Sequence, residues 1–242
     1  MMKLNVIDLG TVEYSRGLSI QEKVRTLRIH DKIDDTLLIM EHFPVLTLGC
    51  RGKWDNIHIS KESLQSMGIE IFKVNRGGDV TYHGPGQIVG YPILNMNNYE
   101  RDVKGLIWKM KEIFILLLRN EYNIHAIGLD KEHTGVWIDN DKITAIGISI
   151  SKMVTMHGFA FNVNTNLDHF HWINPCGYTD KGVTSLEKIL GYPLEIGEIK
   201  SLVVKYFIDV FGIQMVPLNY YEFNRLLEEV ENEKTGLAQG KH

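Results

Sequence analysis

The chain has 242 residues, 44% of them hydrophobic and 23% charged, so it can bury a substantial core in one large α/β domain or two small ones. A formal net charge of −4 argues against bulk nucleic-acid binding, and no apolar run approaches the ~20 residues of a membrane span. Its two cysteines, Cys50 and Cys176, make no disulfide framework, which suits a reducing compartment.

The amino terminus, Met1-Met2-Lys3-Leu4-Asn5-Val6-Ile7-Asp8, reads as a first strand and not as a targeting peptide, so a cytoplasmic location is expected. Helical spacing follows over residues 20–33, then strand-like runs at 36–41 and 45–48. A helix at 61–67 precedes strands at 69–74 and 88–94, and a long helix occupies 103–122. Two more strands, 134–138 and 142–150, are divided by Asp139-Asn140-Asp141, a tight hairpin turn. A second turn, Ser151-Lys152-Met153, leads into 154–163 and completes a three-strand meander. Thr184-Ser185-Leu186-Glu187 has capping-box spacing and opens a short helix ending at Gly191. Helices at 196–211 and 221–231 come before a polar tail, 233–242, expected to be flexible. Clustered strands between helices of uneven length favour an α/β (α+β) fold with a mixed sheet and flanking helices, in a single domain over 1–232.

Three segments carry the chemistry. Arg76-Gly77-Gly78-Asp79-Val80-Thr81-Tyr82-His83-Gly84-Pro85-Gly86-Gln87 lets backbone approach a ligand without interference from Cβ atoms. It is not a P-loop, because Pro85 removes an amide donor and no Gly-Lys-Ser/Thr follows; nor does it open a helix as a dinucleotide fingerprint does. An ordinary hairpin connection is the bland alternative, and the polar set Arg76, Thr81, Tyr82 and His83 favours a binding loop. In Thr155-Met156-His157-Gly158-Phe159-Ala160-Phe161-Asn162-Val163-Asn164 the alternation breaks at His157-Gly158, as in a strand that kinks where something packs on its backbone. Cys176 sits between Pro175 and Gly177, so its thiol rides on a sharply defined turn. With Lys142, on a strand earlier in the chain, it would make an acyl-transfer dyad in which sulfur carries the acyl group. A lone cysteine is otherwise a small buried hydrophobe, and a lysine just past a turn is commonly solvated. His157, His169, His171 and Cys176 lie close in sequence but fit no standard zinc spacing, so no metal is expected.

Together these segments resemble one family, the lipoyl/octanoyl transferases, also called lipoate–protein ligase B. Its pattern runs Arg-Gly-Gly-x-x-Thr-Tyr-His-Gly-Pro-Gly-Gln, a lysine strand, Thr/Ser-x-His-Gly-x-Ala-x-Asn-Val and Pro-Cys-Gly. The chain carries all four in order, at 76–87, 142–147, 155–163 and 175–177. Glu41-His42-Phe43-Pro44-Val45-Leu46-Thr47-Leu48-Gly49 is similar to the family's lead-in. The resemblance covers roughly residues 35 to 190. Asn166, Phe43 and Cys50 depart from the pattern, and none of them touches the dyad.

The resemblance implies a biotin/lipoate protein ligase-like catalytic domain that moves an octanoyl or lipoyl group from acyl carrier protein to a lysine of lipoyl domains. Those domains belong to 2-oxo-acid dehydrogenases and the glycine cleavage H protein, and the step is the first of endogenous lipoate assembly. No cofactor, nucleic acid or membrane is implied, and a monomer is expected. By the same resemblance Cys176 is the nucleophile and Lys142 its partner. The acyl group and its carbonyl are held by Arg76, Gly77, Gly78, Asp79, Val80, Thr81, Tyr82 and His83, by Ala145, Ile146 and Gly147, and by Gly158, Phe159 and Ala160. At ~0.8 kcal/mol per buried methylene, an octanoyl tail gains up to ~5 kcal/mol in an apolar tunnel. Arg51, Lys53, Lys73 and Arg76 are candidates for docking acidic partners. The rivals are an ATP-dependent lipoate ligase of the same fold, which needs no cysteine, a non-catalytic binder of acyl carrier protein, and, further off, a biotin-type ligase.

Overall fold

The computed structural model describes residues 2–173 and 182–239. Cys176, Pro175 and Gly177 lie outside them. In chain order the elements are β1 (Lys3–Val12), α1 (Tyr14–Ile29), β2 (Asp35–His42), β3 (Val45–Leu48), α2 (Lys61–Ser66), β4 (Glu70–Lys73), β5 (Val80–His83), β6 (Gln87–Ile93) and α3 (Val103–Tyr122). They continue with β7 (Ile127–Leu129), β8 (Gly135–Ile138), β9 (Asp141–Ser151), β10 (Val154–Asn162), β11 (Gly182–Val183), α4 (Leu186–Leu190), α5 (Ile196–Phe211), β12 (Gln214–Met215) and α6 (Tyr220–Gln239).

Among the described residues the main sheet runs β12-β1-β2-β6-β10-β9-β8-β7, with β11 added beside β9. Its β12–β1, β1–β2 and β11–β9 pairs are parallel and the others antiparallel, so the sheet is mixed. Strand alternation divides the core. On β2, Leu37 and Ile39 face the layer of α3 and α5, while Leu38 and Met40 face that of α1 and α6. Both faces are therefore covered, and every residue of β6 and β10 is buried. A second sheet, β4-β3-β5, packs with α2 around Leu46, Leu48, Leu64 and Tyr82.

The helices with clear boundaries in the sequence have physical stops. α3 starts where Asp102 accepts a bond from the Gly105 amide, and it ends at Asn123, which takes the left-handed conformation at φ 54°. α1 begins at Tyr14, six residues before the expected start. Its buried face includes Gly17, Gln21 and Arg28, which hide the apolar period. α4 is capped by Ser185, whose hydroxyl accepts from the Lys188 amide, so the cap is one residue later than the Thr184 of the capping-box reading. α6 runs on to Gln239 instead of stopping near 231. Among the described residues no helix is long and apolar enough to cross a membrane.

Candidate active site

A cavity of about 830 Å³ opens between the β9–β10 hairpin and the glycine-rich segment that precedes β5. The glycine segment is fastened from both sides. The Gly77 amide donates to Ile148 O on β9, and the amides of Gly49, Cys50 and Arg51 donate to Asp79 O, Arg76 O and Gly78 O. Asp79 also accepts from the amides of Lys53 and Val80 and from Asn56 Nδ2. β8 covers β9 only as far as Ala145, so Ile148 is free to receive the loop.

Arg76 lines the cavity with the other residues expected in the loop, and it also fastens that loop. Its guanidinium turns inward and donates to Thr47 O, Thr47 Oγ1 and Gly77 O, and the residue is buried. Burial pulls its pKa down, opposed by Tyr14, Tyr91, Asp79 and Cys50. It therefore holds the glycine loop against β3 and is no docking cation. Arg51, Lys53 and Lys73 are exposed.

The opposite wall is the β9–β10 pair. Ala145, Gly147, Gly158 and Ala160 are cross-strand neighbours, and all four line the cavity. At Gly147 an added Cβ would stand 2.6 Å from Gly77 O, so the glycine permits contact between strand and loop. We expect Gly147→Ala to cost about 1–3 kcal/mol of stability and, because a ~1 Å displacement can cost ~10²-fold, to cut kcat/KM by about tenfold or more. A melting curve and steady-state kinetics check both.

Lys142 reaches this wall through a register slip. Strict alternation would put it on the face opposite to Ala145 and Gly147. The β8–β9 pairing shifts between Val136 and Trp137, leaving one extra residue on β9 at Ile143. Ile143 and Thr144 are both fully buried, and Lys142 lines the cavity with Ala145 and Gly147. Its Nζ lies 4.9 Å from the centroid of the Trp137 ring. Val183 on β11 pairs with Lys142, and the Thr184 amide donates to Lys142 O.

Of the other expected site residues, Val80, Thr81, His83, Ile146 and Phe159 line the cavity with Gly77, Gly78 and Asp79. Tyr82 does not. It alternates with Thr81 and His83 on β5, so its ring enters the small core beneath and its hydroxyl hydrogen-bonds His169 Nδ1 at 2.6 Å. Ile173 and Gly182, the described residues on either side of Cys176, both line the cavity. Among the described residues no group of three His, Cys, Asp or Glu could hold a metal ion.

Tyr14, Tyr91, Trp137 and Asn162 also line the cavity, and the sequence reading missed them. Tyr14, Tyr91 and Trp137 come from distant elements outside the glycine motifs, whereas Asn162 lies within the motif at 155–164. With His42, His83 and His157 the tyrosines form a buried ring cluster. Tyr91 OH donates to His42 Nε2, His42 Nδ1 donates to Val12 O, and His83 Nδ1 donates to Gln87 Oε1. Tyr14 stacks on His83 with centroids 6.1 Å apart. Burial, before all other causes, pushes His42 and His157 down to about 4 and His83 to about 3, and raises Tyr14 to about 12.

These histidines fold neutral, whereas an unfolded chain protonates them below 6.5. The unfolded state then binds more protons, so stability is full above pH 6.5 and falls as pH drops toward 4. Near pH 5 the slope should approach three protons, about 4 kcal/mol per pH unit. Denaturant titrations between pH 7 and 5 measure it.

The profile of the lipoyl protein ligase A/B catalytic domain matches residues 13–208. The chain belongs to that family. Octanoyltransferase from Caldicellulosiruptor saccharolyticus is 56% identical over 211 residues, 87% of this chain and 90% of that one. Octanoyltransferase from Desulforamulus reducens is 48% identical over 226 residues, 93% and 99% of the two chains. The fold matches a bipartite lipoate protein ligase from Thermoplasma acidophilum with a TM-score of 0.73 at 17% identity, covering 95% and 92% of the chains. This member of the lipoyl ligase family is thus an acyltransferase whose activity is octanoyl transfer, on a lipoate ligase-like fold with a mixed sheet and flanking helices.

Proposed function

We propose that the transfer runs through a thioester on Cys176, with Lys142 moving the protons. The observation that carries this reading is the register slip at Ile143, which turns Lys142 onto the small-residue wall of the cavity. Ile173 and Gly182, the described residues on either side of Cys176, both line the cavity, which supports this reading. In the first half-reaction the Cys176 thiolate attacks the thioester carbonyl of octanoyl acyl carrier protein. The tetrahedral adduct collapses and a new carbon–sulfur bond remains on Cys176. The carrier leaves as its thiol with the proton that Lys142 had taken from Cys176, which returns the lysine to its neutral form. In the second, a lysine amine of a lipoyl domain attacks that thioester, its proton passes to neutral Lys142, and Cys176 leaves as the thiolate while the amide forms.

Exchange of one thioester for another is nearly neutral in free energy, so no ATP enters. Acceptors are lipoyl domains of 2-oxo-acid dehydrogenases and the glycine cleavage H protein, met by a cytoplasmic monomer whose catalytic domain spans residues 1–232. Intact mass spectrometry after mixing the protein with octanoyl acyl carrier protein, without ATP, tests the scheme. A hydroxylamine-labile octanoyl adduct is expected. Labelling of a lipoyl domain only when ATP and free octanoate are supplied would instead make the protein a ligase.

A further inference from the structure

The acyl slot has an end, and one residue reaches it against the strand pattern. On β10, Phe159 and Phe161 face α3, while Met156 and Ala160 face α1. Alternation would send His157 to the α3 side with the phenylalanines. It does not go there. His157 has φ +60°, a conformation that side-chain-bearing residues seldom adopt within a strand. Its ring instead lies edge-on to Tyr91 at 6.4 Å, a member of the α1-side core, and its Nε2 donates to Asn75 Oδ1 at 2.8 Å.

The surroundings hold this strained geometry from several directions. Pro92 on β6, two residues past the Gly90 that pairs with Phe159, has no amide to offer β10. Thr155 Oγ1 repairs the ladder by accepting from the Leu94 amide and donating to Pro92 O. The His157 amide leaves the sheet and donates to Gln21 Oε1 of α1 at 2.9 Å. Burial keeps the ring neutral at pH 7, so an apolar chain end can rest against it.

His157 stands at the far end of the slot from Lys142. It is the cross-strand partner of Ile148, six residues along β9 from Lys142. Ile143 is the extra residue of the bulge, so the path covers about five pair positions, ~17 Å at ~3.3 Å each, with Ala145 and Gly147 between. An octanoyl chain of ~9 Å and one van der Waals contact of ~4 Å take ~13 Å of that span, and the approach of the lysine to the carbonyl takes the rest. Two further methylenes would add ~2.5 Å and run into the ring.

We propose that His157 is the stop that sets the acyl-chain length at about eight carbons, its left-handed backbone serving to turn the ring across the slot. This rests on the thioester reading above, which places the acyl carbonyl near Lys142.

The test uses the full chain with hexanoyl, octanoyl, decanoyl and dodecanoyl acyl carrier protein as donors. His157→Gly suits φ +60° and removes the ring, so the variant should fold; His157→Asn keeps a residue tolerant of that conformation and shortens the side chain. For His157→Gly, kcat/KM with the ten- or twelve-carbon donor relative to the eight-carbon donor should rise by about tenfold or more. His157→Asn should fall between it and the natural protein. A structural role alone would lower all donors together. If both variants keep the natural ratio, at whatever overall rate, His157 is not the stop. If the natural protein forms no octanoyl adduct, the thioester reading fails instead, and the chain-length preference of free fatty-acid binding to protein and variant still decides the role of His157.

Discussion

Cys176→Ser is expected to abolish the hydroxylamine-labile octanoyl adduct and to lower turnover by about 10³-fold or more. A thiol near neutral pH already holds a few per cent of the nucleophilic thiolate, and a nearby ammonium raises that fraction, whereas a serine hydroxyl has essentially no anion to offer. The control is the other cysteine. Cys50 is exposed on the turn after β3, where its amide donates to Arg76 O and its sulfur has no part in the proposed chemistry. Cys50→Ser should keep both adduct and turnover. Intact mass of the two variants after exposure to octanoyl acyl carrier protein separates the cases. An adduct that survives in Cys176→Ser and disappears in Cys50→Ser would move the nucleophile to the other side of the loop.

Lys142→Ala should reduce kcat by about 10²–10⁴-fold, the range of a positioned proton-transfer group. The fold should tolerate the change, since Lys142 is only partly buried and its contact over Trp137 is worth about 0.5–1 kcal/mol. Lys142→Arg should not restore the rate. A guanidinium keeps the positive charge but cannot act as a base, so an arginine that rescued turnover would show that charge alone is needed. Steady-state kinetics with melting curves for the three proteins give the answer. Rates of Lys142→Ala within about threefold of the natural protein would remove the lysine from the mechanism, because proton transfer would then have contributed under 1 kcal/mol to the barrier.

The chain's own apolar spacing and stop residues carried much of the architecture. α3 and α5 were readable to their end residues, 103–122 and 196–211, because a cap or an αL residue closes each apolar period. The meander of β8, β9 and β10 followed from its two turns, where Asp139, Lys152 and Met153 take positive φ. α1 was misplaced because its buried face uses glycine, glutamine and arginine in place of aliphatic residues. β5 lies inside the glycine motif, whose residue types suggest a ligand contact for Tyr82, but alternation on that strand turns its ring away.

What the sequence by itself determined was local: the helix ends, the turns, and four motifs whose residue types suit acyl transfer to and from a thiol. What only the tertiary structure decided was direction. Arg76 points inward because Thr47, far back in the chain, offers it two acceptors. Lys142 shares a face with Ala145 and Gly147 because β8 and β9 pair with one residue to spare. His157 crosses the slot because Pro92 withholds an amide and Gln21 of α1 accepts the one that His157 donates. Each of these depends on a partner distant in sequence, and the spacing of residues along one strand holds no information about which hydrogen-bond partner will arrive from another.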